Sequence, residues 1–161
     1  MVAWMHTWGR KLVTNDFGHK WYGQMTLPRI LKKNENGLHQ VLPTSVLEAF
    51  KDIEIGQSIK GPSKFSLKLE DSLELRLGSD QDYLQFGYDK DSQEVYIDRG
   101  HLDIQQTGEE EWSTIRRSVT VEAEELLIMI DTNCLEIFVN NGQEVLTSTY
   151  YVEGQRTLNT L

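Results

Sequence analysis

Residues 21–42, WYGQMTLPRILKKNENGLHQVL, decide how this chain is organised. The centre, residues 34–37, holds the Asn and Gly residues that tolerate positive φ in a tight turn. A mostly apolar run precedes the turn, and Leu38, Gln40 and Leu42 continue on its other side. The stretch therefore predicts a β-hairpin. It joins a Trp-rich upstream part to a downstream series of alternating strands.

The upstream part, MVAWMHTW at residues 1–8, has the pattern of a strand. Trp4, His6 and Trp8 would share one face, and smaller residues the other. We expect this strand to pair with residues 23–32. Because large side chains on a strand need neighbours on both sides, we also expect the chain to start within a sheet whose earlier strands lie outside it.

Downstream, residues 43–50 predict a short helix in which Ser45 and Glu48 form a capping box. From residue 53 the apolar period becomes two, which is typical of strands. The predicted strands are centred on residues 53–59, 65–69, 73–77, 83–88, 95–98, 117–121, 126–130, 135–139 and 145–152. Many short strands with turn residues between them predict an all-β fold, an antiparallel β-sandwich.

Composition excludes several classes of partner. The net charge is −9, from 25 acidic and 16 basic residues, so we expect no binding to nucleic acid or to an anionic membrane. The single cysteine, Cys134, and the absence of a basic, then apolar leader predict a cytoplasmic protein. The four histidines and one cysteine have no metal-ligand spacing, so we expect no metal and no cofactor.

Residues 21–31, WYGQMTLPRIL, followed by LHQVLP at residues 38–43, resemble the end of the propeller in glycoside hydrolase family 32. This family includes invertases, levanases and sucrose-6-phosphate hydrolases. Its usual pattern is W-R-G-x-M-T-x-P-R-x-L, so Tyr22 replaces an arginine here, and Gln40 and Pro43 are spaced one residue wider. Residues 2–8 resemble the family's W-M-x-x-W strand, and LEIFVNNG at residues 135–142 extends the resemblance over nearly the whole chain.

The resemblance implies three parts. Residues 1–31 would be remnant strands of a five-bladed β-propeller. Residues 32–51 would be the hairpin's return strand and a linker helix, and residues 52–161 a C-terminal sandwich of the lectin-like, jelly-roll kind. The implied parent reaction is retaining hydrolysis of a β-fructosidic bond in sucrose, sucrose 6-phosphate or a fructan, so a β-fructoside is the expected partner of the intact parent.

The family's reactive acids are missing from this sequence. Retaining glycosidases use two carboxylates about 5–5.5 Å apart, and in this family they lie in W-M-N-D-P-N-G and E-C motifs, with a third acid in R-D-P. The three prolines follow Leu27, Leu42 and Gly61, and Cys134 follows Asn133. We therefore assign no catalytic residue, expect these acids upstream of Met1, and expect the chain to be inactive alone. Its own acids are expected on solvated strand faces and in turns.

Trp4 is the candidate for substrate contact, because the resemblance implies that an aromatic of this strand lines the sugar pocket. The alternative is a core tryptophan. His19, Lys20 and Arg29 are candidates for facing a phosphate, with surface charge or an interface brace as the favoured alternative. Asp98 and Arg99 predict an ion pair at a strand end.

Two other functions stay open. The first is a free-standing carbohydrate-binding module that presents Tyr83, Tyr88, Tyr96 and Trp112 to a sugar. The second is an assembly module, since residues 1–8 and 23–31 would leave open sheet edges. On that ground we expect self-association through the exposed strand edges.

Overall fold

The computed structural model describes residues 1–5, 13–15, 18, 23–35, 37–105 and 114–161. The strands are β1 (Ile30–Asn34), β2 (Gly37–Val41), β3 (Lys51–Asp52), β4 (Ser58–Ile59), β5 (Ser63–Lys68), β6 (Leu73–Gly78), β7 (Tyr83–Asp89), β8 (Glu94–Asp98), β9 (Ile115–Arg117), β10 (Glu125–Ile130), β11 (Cys134–Val139), β12 (Glu144–Thr149) and β13 (Arg156–Thr160). One α-helix, α1 (Thr44–Ala49), and two 3-10 turns, Val13–Asn15 and Asn140–Gly142, complete the described elements.

Two sheets form the body of the molecule. The first has the strand order β12-β11-β10-β5-β3, and the second has the order β4-β13-β6-β7-β8-β9. Neighbouring strands are antiparallel, except that the two-residue strand β3 runs parallel to β5. The predicted all-β, antiparallel β-sandwich is confirmed.

The core lies between the inner faces of these sheets. On the six-stranded sheet, Leu75, Phe86 and Ile97 form one cross-strand row, and each is 0% exposed. On the five-stranded sheet, Ile128 pairs with Ile137, and both belong to the same apolar cluster. Burying one such Leu or Ile stabilises the fold by about 1.5–3 kcal/mol.

The predicted hairpin is confirmed. Strands β1 and β2 pair from Ile30 opposite Val41 to Asn34 opposite Gly37. Gly37 has a φ of 117°, a value that favours glycine. The second predicted turn, Asn140–Gly142, joins β11 to β12, and all three of its residues have positive φ.

Three strand predictions were wrong in place. Residues 53–59 do not form one strand, because a turn at Gly56, with a φ of 89°, separates β3 from β4, and these strands enter different sheets. Strand β9 starts at Ile115 and ends at Arg117, whereas the apolar period predicted a start at 117. Strand β13 was missed, because Leu158 is its only buried apolar residue.

The helix forms where predicted, but its capping box was wrong. Pro43 occupies the N-cap position with no side-chain cap bond, so Ser45 lies inside the helix. The Pro43 carbonyl accepts the N–H groups of Val46 and Leu47. Phe50, next to the helix, packs in a second apolar cluster with Leu42, Met129 and Phe138, so packing holds this helix. Within the described ranges, no helix is long and apolar enough to span a bilayer.

Strand β11 also departs from the expected alternation. All six of its residues are buried, including Glu136 and Phe138 on the face away from the core. That outer face is covered by the second apolar cluster and by the N-terminal segment. The covering creates an environment that a solvated strand face does not have, and the candidate site lies there.

Candidate functional site at the seam

The N-terminal strands form a pair that lies against the sandwich. A bridge joins Trp4 to Met25, and the Thr26 N–H donates to the Ala3 carbonyl at 2.9 Å. The Arg29 N–H donates to the Met1 carbonyl at 2.8 Å. The predicted pairing is confirmed for residues 1–5; residues 6–8 lie outside the described residues. We name the contact of residues 1–5 and 23–29 with β11 and β12 the seam.

A buried ion pair fastens the seam. Arg29 Nη2 lies 2.6 Å from Glu136 Oε2, and the two side chains are 7% and 1% exposed. The other carboxylate oxygen, Glu136 Oε1, accepts the Leu27 N–H at 2.6 Å. Arg29 also donates to Gln40 Oε1 at 2.8 Å and to Thr147 Oγ1 at 2.7 Å. One side chain therefore ties the N-terminal pair to both the hairpin and the sandwich.

Burial dominates the electrostatics of this cluster. It raises the pKa of Glu136, while the Leu27 N–H and the Arg29 guanidinium oppose the rise. Burial also raises the pKa of the Cys134 thiol, and the Glu136 carboxylate adds to the effect. Cys134 Sγ lies 3.7 Å from Met5 Sδ and 3.9 Å from Glu136 Oε1, so the thiol is part of the seam.

Arg29 therefore acts as an interface brace, which was the favoured alternative. Its guanidinium carbon also lies 5.4 Å from the centre of the Phe138 ring. His19 and Lys20 lie outside the described residues. The expectation of a solvated carboxylate was wrong for Glu136, because its cover comes from a segment 107 residues away in sequence. The aromatic Phe138 on the same strand face was the available signal that this face is not solvated.

Trp4 lies at the surface and is 51% exposed. It lines a groove of about 290 Å³, which we name the seam groove. The other described residues that line it are Ala3, Met5, Thr26, Arg29, Arg99, Arg116, Thr147, Ser148 and Thr149. Contact between Trp4 and a sugar stays a prediction. Arg99 and Arg116 were not predicted to join it.

A second groove, which we name the outer groove, lies on the outer face of the six-stranded sheet. It has a volume of about 500 Å³, and Glu74, Gln85, Tyr96 and Asp98 are among the residues that line it. Tyr96 Oη donates to Glu74 Oε2 at 3.2 Å. Burial raises the pKa of Tyr96 to about 12, so the phenol keeps its proton at neutral pH.

The other predicted aromatics are placed differently. Tyr88 lines the outer groove but is 4% exposed, and its hydroxyl donates to the Val121 carbonyl at 3.4 Å. Tyr83 stacks on His101 with ring centres 4.7 Å apart. Trp112 lies outside the described residues. Tyr96 is therefore the tyrosine of this set that combines partial exposure with a place in the outer groove.

The predicted ion pair of Asp98 and Arg99 is replaced by contacts to backbone. Asp98 Oδ1 accepts the Gly100 N–H at 2.7 Å, and Arg99 Nε donates to the Thr114 carbonyl at 3.3 Å. In the part of the chain that the structure describes, no group of three or more His, Cys, Asp or Glu residues is arranged to hold a metal ion.

Comparison with known proteins identifies relatives of this arrangement. The chain is 27% identical over 161 residues to a sucrose-6-phosphate hydrolase of Vibrio alginolyticus, covering 95% of this chain and 32% of that protein. It is 31% identical over 76 residues to an invertase of Kluyveromyces lactis, covering 44% of this chain and 12% of that protein. The chain thus spans at most about a third of the length of these relatives.

Solved structures share the fold. Sucrose-6-phosphate hydrolase from Lactobacillus gasseri matches with a TM-score of 0.75 and 16% identity, over 98% of this chain and 35% of that chain. A variant of the Bombyx mori GH32 β-fructofuranosidase in complex with sucrose matches with a TM-score of 0.71 and 15% identity, over 99% of this chain and 34% of that chain. The family model "Glycosyl hydrolases family 32 C terminal" matches residues 23–160. The chain belongs to this family of glycoside hydrolase family 32 C-terminal domains.

Proposed function

We propose that this chain is the non-catalytic C-terminal region of a β-fructofuranosidase and that its sandwich supports a β-propeller domain. The parent reaction would be retaining hydrolysis of a β-fructoside such as sucrose, sucrose 6-phosphate or a fructan. Relatives with sucrose-6-phosphate hydrolase and invertase activity are about three times longer than this chain or more, and the family's acid motifs do not occur in its sequence.

The observation that carries the proposal is the distribution of exposed apolar side chains. Ten large apolar side chains of the described residues are more than 45% exposed, and seven of these lie in residues 1–38. They are Met1, Val2, Trp4, Met25, Ile30, Leu31 and Leu38. A concentration of this kind marks an interaction surface. The buried Arg29–Glu136 pair holds this surface against the sandwich.

A chimera tests the supporting role. The last third of the Vibrio alginolyticus hydrolase would be replaced by this chain, and sucrose 6-phosphate hydrolysis and thermal stability measured. We expect the chimera to be soluble and active, and the hydrolase truncated before that third to lose stability. Leu31→Asp should impair the chimera, because a charge would enter the covered surface. Val119→Asp, at another exposed apolar residue, is the matched control and should behave as the parent chimera does.

A second assay tests the non-catalytic assignment. The purified 161-residue chain should hydrolyse neither sucrose nor levan above the background without protein. Turnover by the chain alone, abolished when one of its own Asp or Glu residues is substituted, would overturn the proposal. A truncated hydrolase as stable and active as the chimera would do the same for the supporting role.

Carbohydrate binding is the second candidate function, favoured by the outer groove. Glu74 and Asp98 offer acceptors for sugar hydroxyls, Gln85 offers an amide, and Tyr96 a partly exposed ring. Calorimetric titration of the chain with fructans separates the candidates. Saturable heat that disappears in Tyr96→Ala would support the module, whereas the supporting role alone predicts no heat above dilution.

Self-association through strand edges is proposed on the same surface. Strands β1 and β2 pair only with each other in the described sheets, so each presents an open edge. We expect a dimer or larger species in sedimentation at micromolar concentration, and a monomer at that concentration would contradict it.

A further inference from the structure

We propose that the seam groove binds a small molecule bearing a phosphate group, through Arg116 and Arg99. The groove lies at the open edge of the sandwich. Arg116 on β9 and Thr147 on β12 line it from the two sheets, and Trp4 lines it from the N-terminal pair. The inference goes beyond the supporting role and is tested on the chain alone.

The register of β9 sets the direction of Arg116. Ile97 is opposite Arg116, and it continues the row that Phe86 and Leu75 form across the six-stranded sheet. These three apolar residues are fully buried, so Arg116 occupies an inward-facing position at the end of a core row. An arginine at such a position extends past the core to the sandwich edge, and Arg116 accordingly lines the seam groove and is exposed.

The next residue provides a natural contrast. Arg117 faces the opposite side of β9, where it lines the outer groove. Its Nη1 lies 3.2 Å from Glu94 Oε2, so a carboxylate neutralises it. The two neighbouring arginines thus have equal charge and different surroundings, and only Arg116 lies in the seam groove.

Charge in the seam groove is positive although the chain is acidic. Three arginines, Arg29, Arg99 and Arg116, line it, and the described lining residues include no Asp or Glu. Glu136 lies against Arg29 but is 1% exposed, so it neutralises that arginine and not the groove mouth. In a chain with a net charge of −9, a groove of this sign is a local exception.

The chemistry fits a phosphate group. Guanidinium groups bind phosphate oxygens through paired, charge-assisted hydrogen bonds. The Thr147 hydroxyl accepts from Arg29 Nη2 and so keeps its own proton to donate. A volume of about 290 Å³ suits a small ligand of monosaccharide size. Trp4 at the same groove offers an apolar face for the carbon skeleton of a phosphate ester.

Calorimetric titration with inorganic phosphate tests the site, with chloride at matched ionic strength as the reference. We expect saturable binding to the wild-type chain. Arg116→Gln should weaken the binding about tenfold, which is the usual scale for one charge-assisted hydrogen bond. Arg117→Gln makes the same change of charge one residue away and should leave the affinity within about twofold. Circular dichroism would verify that both variants are folded.

Fructose 6-phosphate and fructose identify the source of the phosphate group. Tighter binding of fructose 6-phosphate than of inorganic phosphate, with the difference removed by Trp4→Ala, assigns the site to a phosphate ester. Equal binding of the two assigns it to free phosphate. An absence of saturable phosphate binding, or equal weakening in Arg116→Gln and Arg117→Gln, would overturn the proposal, because general charge screening then accounts for the response. None of these outcomes depends on the chimera.

Discussion

The sandwich core and the seam are held together by opposite means. In the core, Leu75, Phe86 and Ile97 lie in a row with no exposed surface, and apolar burial supplies the stability. At the seam, Arg29 and Glu136 are buried as a charged pair, whereas apolar side chains such as Trp4 are exposed. The core therefore completes itself within this chain, while the seam presents a surface that remains available for a further partner.

The largest effect is expected in the core. Phe86→Ala should lower the free energy of unfolding by about 4 kcal/mol, because it removes a fully buried ring from the central row. Urea unfolding measures the change. Val119→Ala, at a residue that is 64% exposed, is the control and should stay within about 0.5 kcal/mol. Equal effects of the two would remove the distinction between core and surface.

At the seam, Arg29→Met should cost about 3 kcal/mol, because Glu136 would remain buried without its partner. The double variant Arg29→Met/Glu136→Leu should recover most of the loss, since no charge is then buried. Equilibrium unfolding of the single and double variants gives the coupling. A double variant as unstable as the sum of both single variants would show that the pair does not act as a unit.

The joint between the two regions can be tested at Gly142. Its φ is 84°, and an added Cβ would lie 2.1 Å from the Gln40 carbonyl oxygen of the hairpin. Gly142→Ala should therefore destabilise the chain by about 1–3 kcal/mol. Gly61→Ala serves as the control, because nothing lies within 4 Å of a Cβ there. Thermal unfolding of both proteins decides, and a matching melting temperature would contradict the contact.

The smallest effect is expected at the helix. Ser45→Ala should change stability by less than about 0.5 kcal/mol, because Ser45 lies inside α1 and no side chain caps the helix. A true N-cap serine would cost about 1 kcal/mol. A loss of that size in urea unfolding would restore the capping box that the sequence predicted.

The predictable part of the fold is the part in which local pattern and tertiary environment agree. Strands β6, β7 and β10 alternate along the sequence and bury the expected apolar residues. The hairpin turns follow from Asn and Gly residues that accept positive φ. Strand β13 escaped prediction because its pairing with β6, and not its own composition, places it in the sheet.

The site was less predictable. Arg29 and Trp4 were found through the family resemblance, but their partners were not. Glu136 occurs on a strand of ordinary alternation, and only contacts with residues more than 100 positions away bury it. Arg116 reaches the seam groove through the register of an edge strand whose start the sequence misplaced by two residues. Long-range contacts of this kind leave no local pattern.

The central claim is that the Arg29–Glu136 pair fastens the N-terminal strands to the sandwich independently of the core. Labelling of Cys134 by a thiol reagent tests it most directly, because the thiol lies under Met5 at the seam and burial raises its pKa, which disfavours the reactive thiolate. Labelling is compared in Arg29→Met and Phe86→Ala, each against its own free energy of unfolding. We predict that Arg29→Met reacts faster than global unfolding allows, while Phe86→Ala reacts at the rate that global unfolding sets. Labelling at the global rate in both variants would contradict the account.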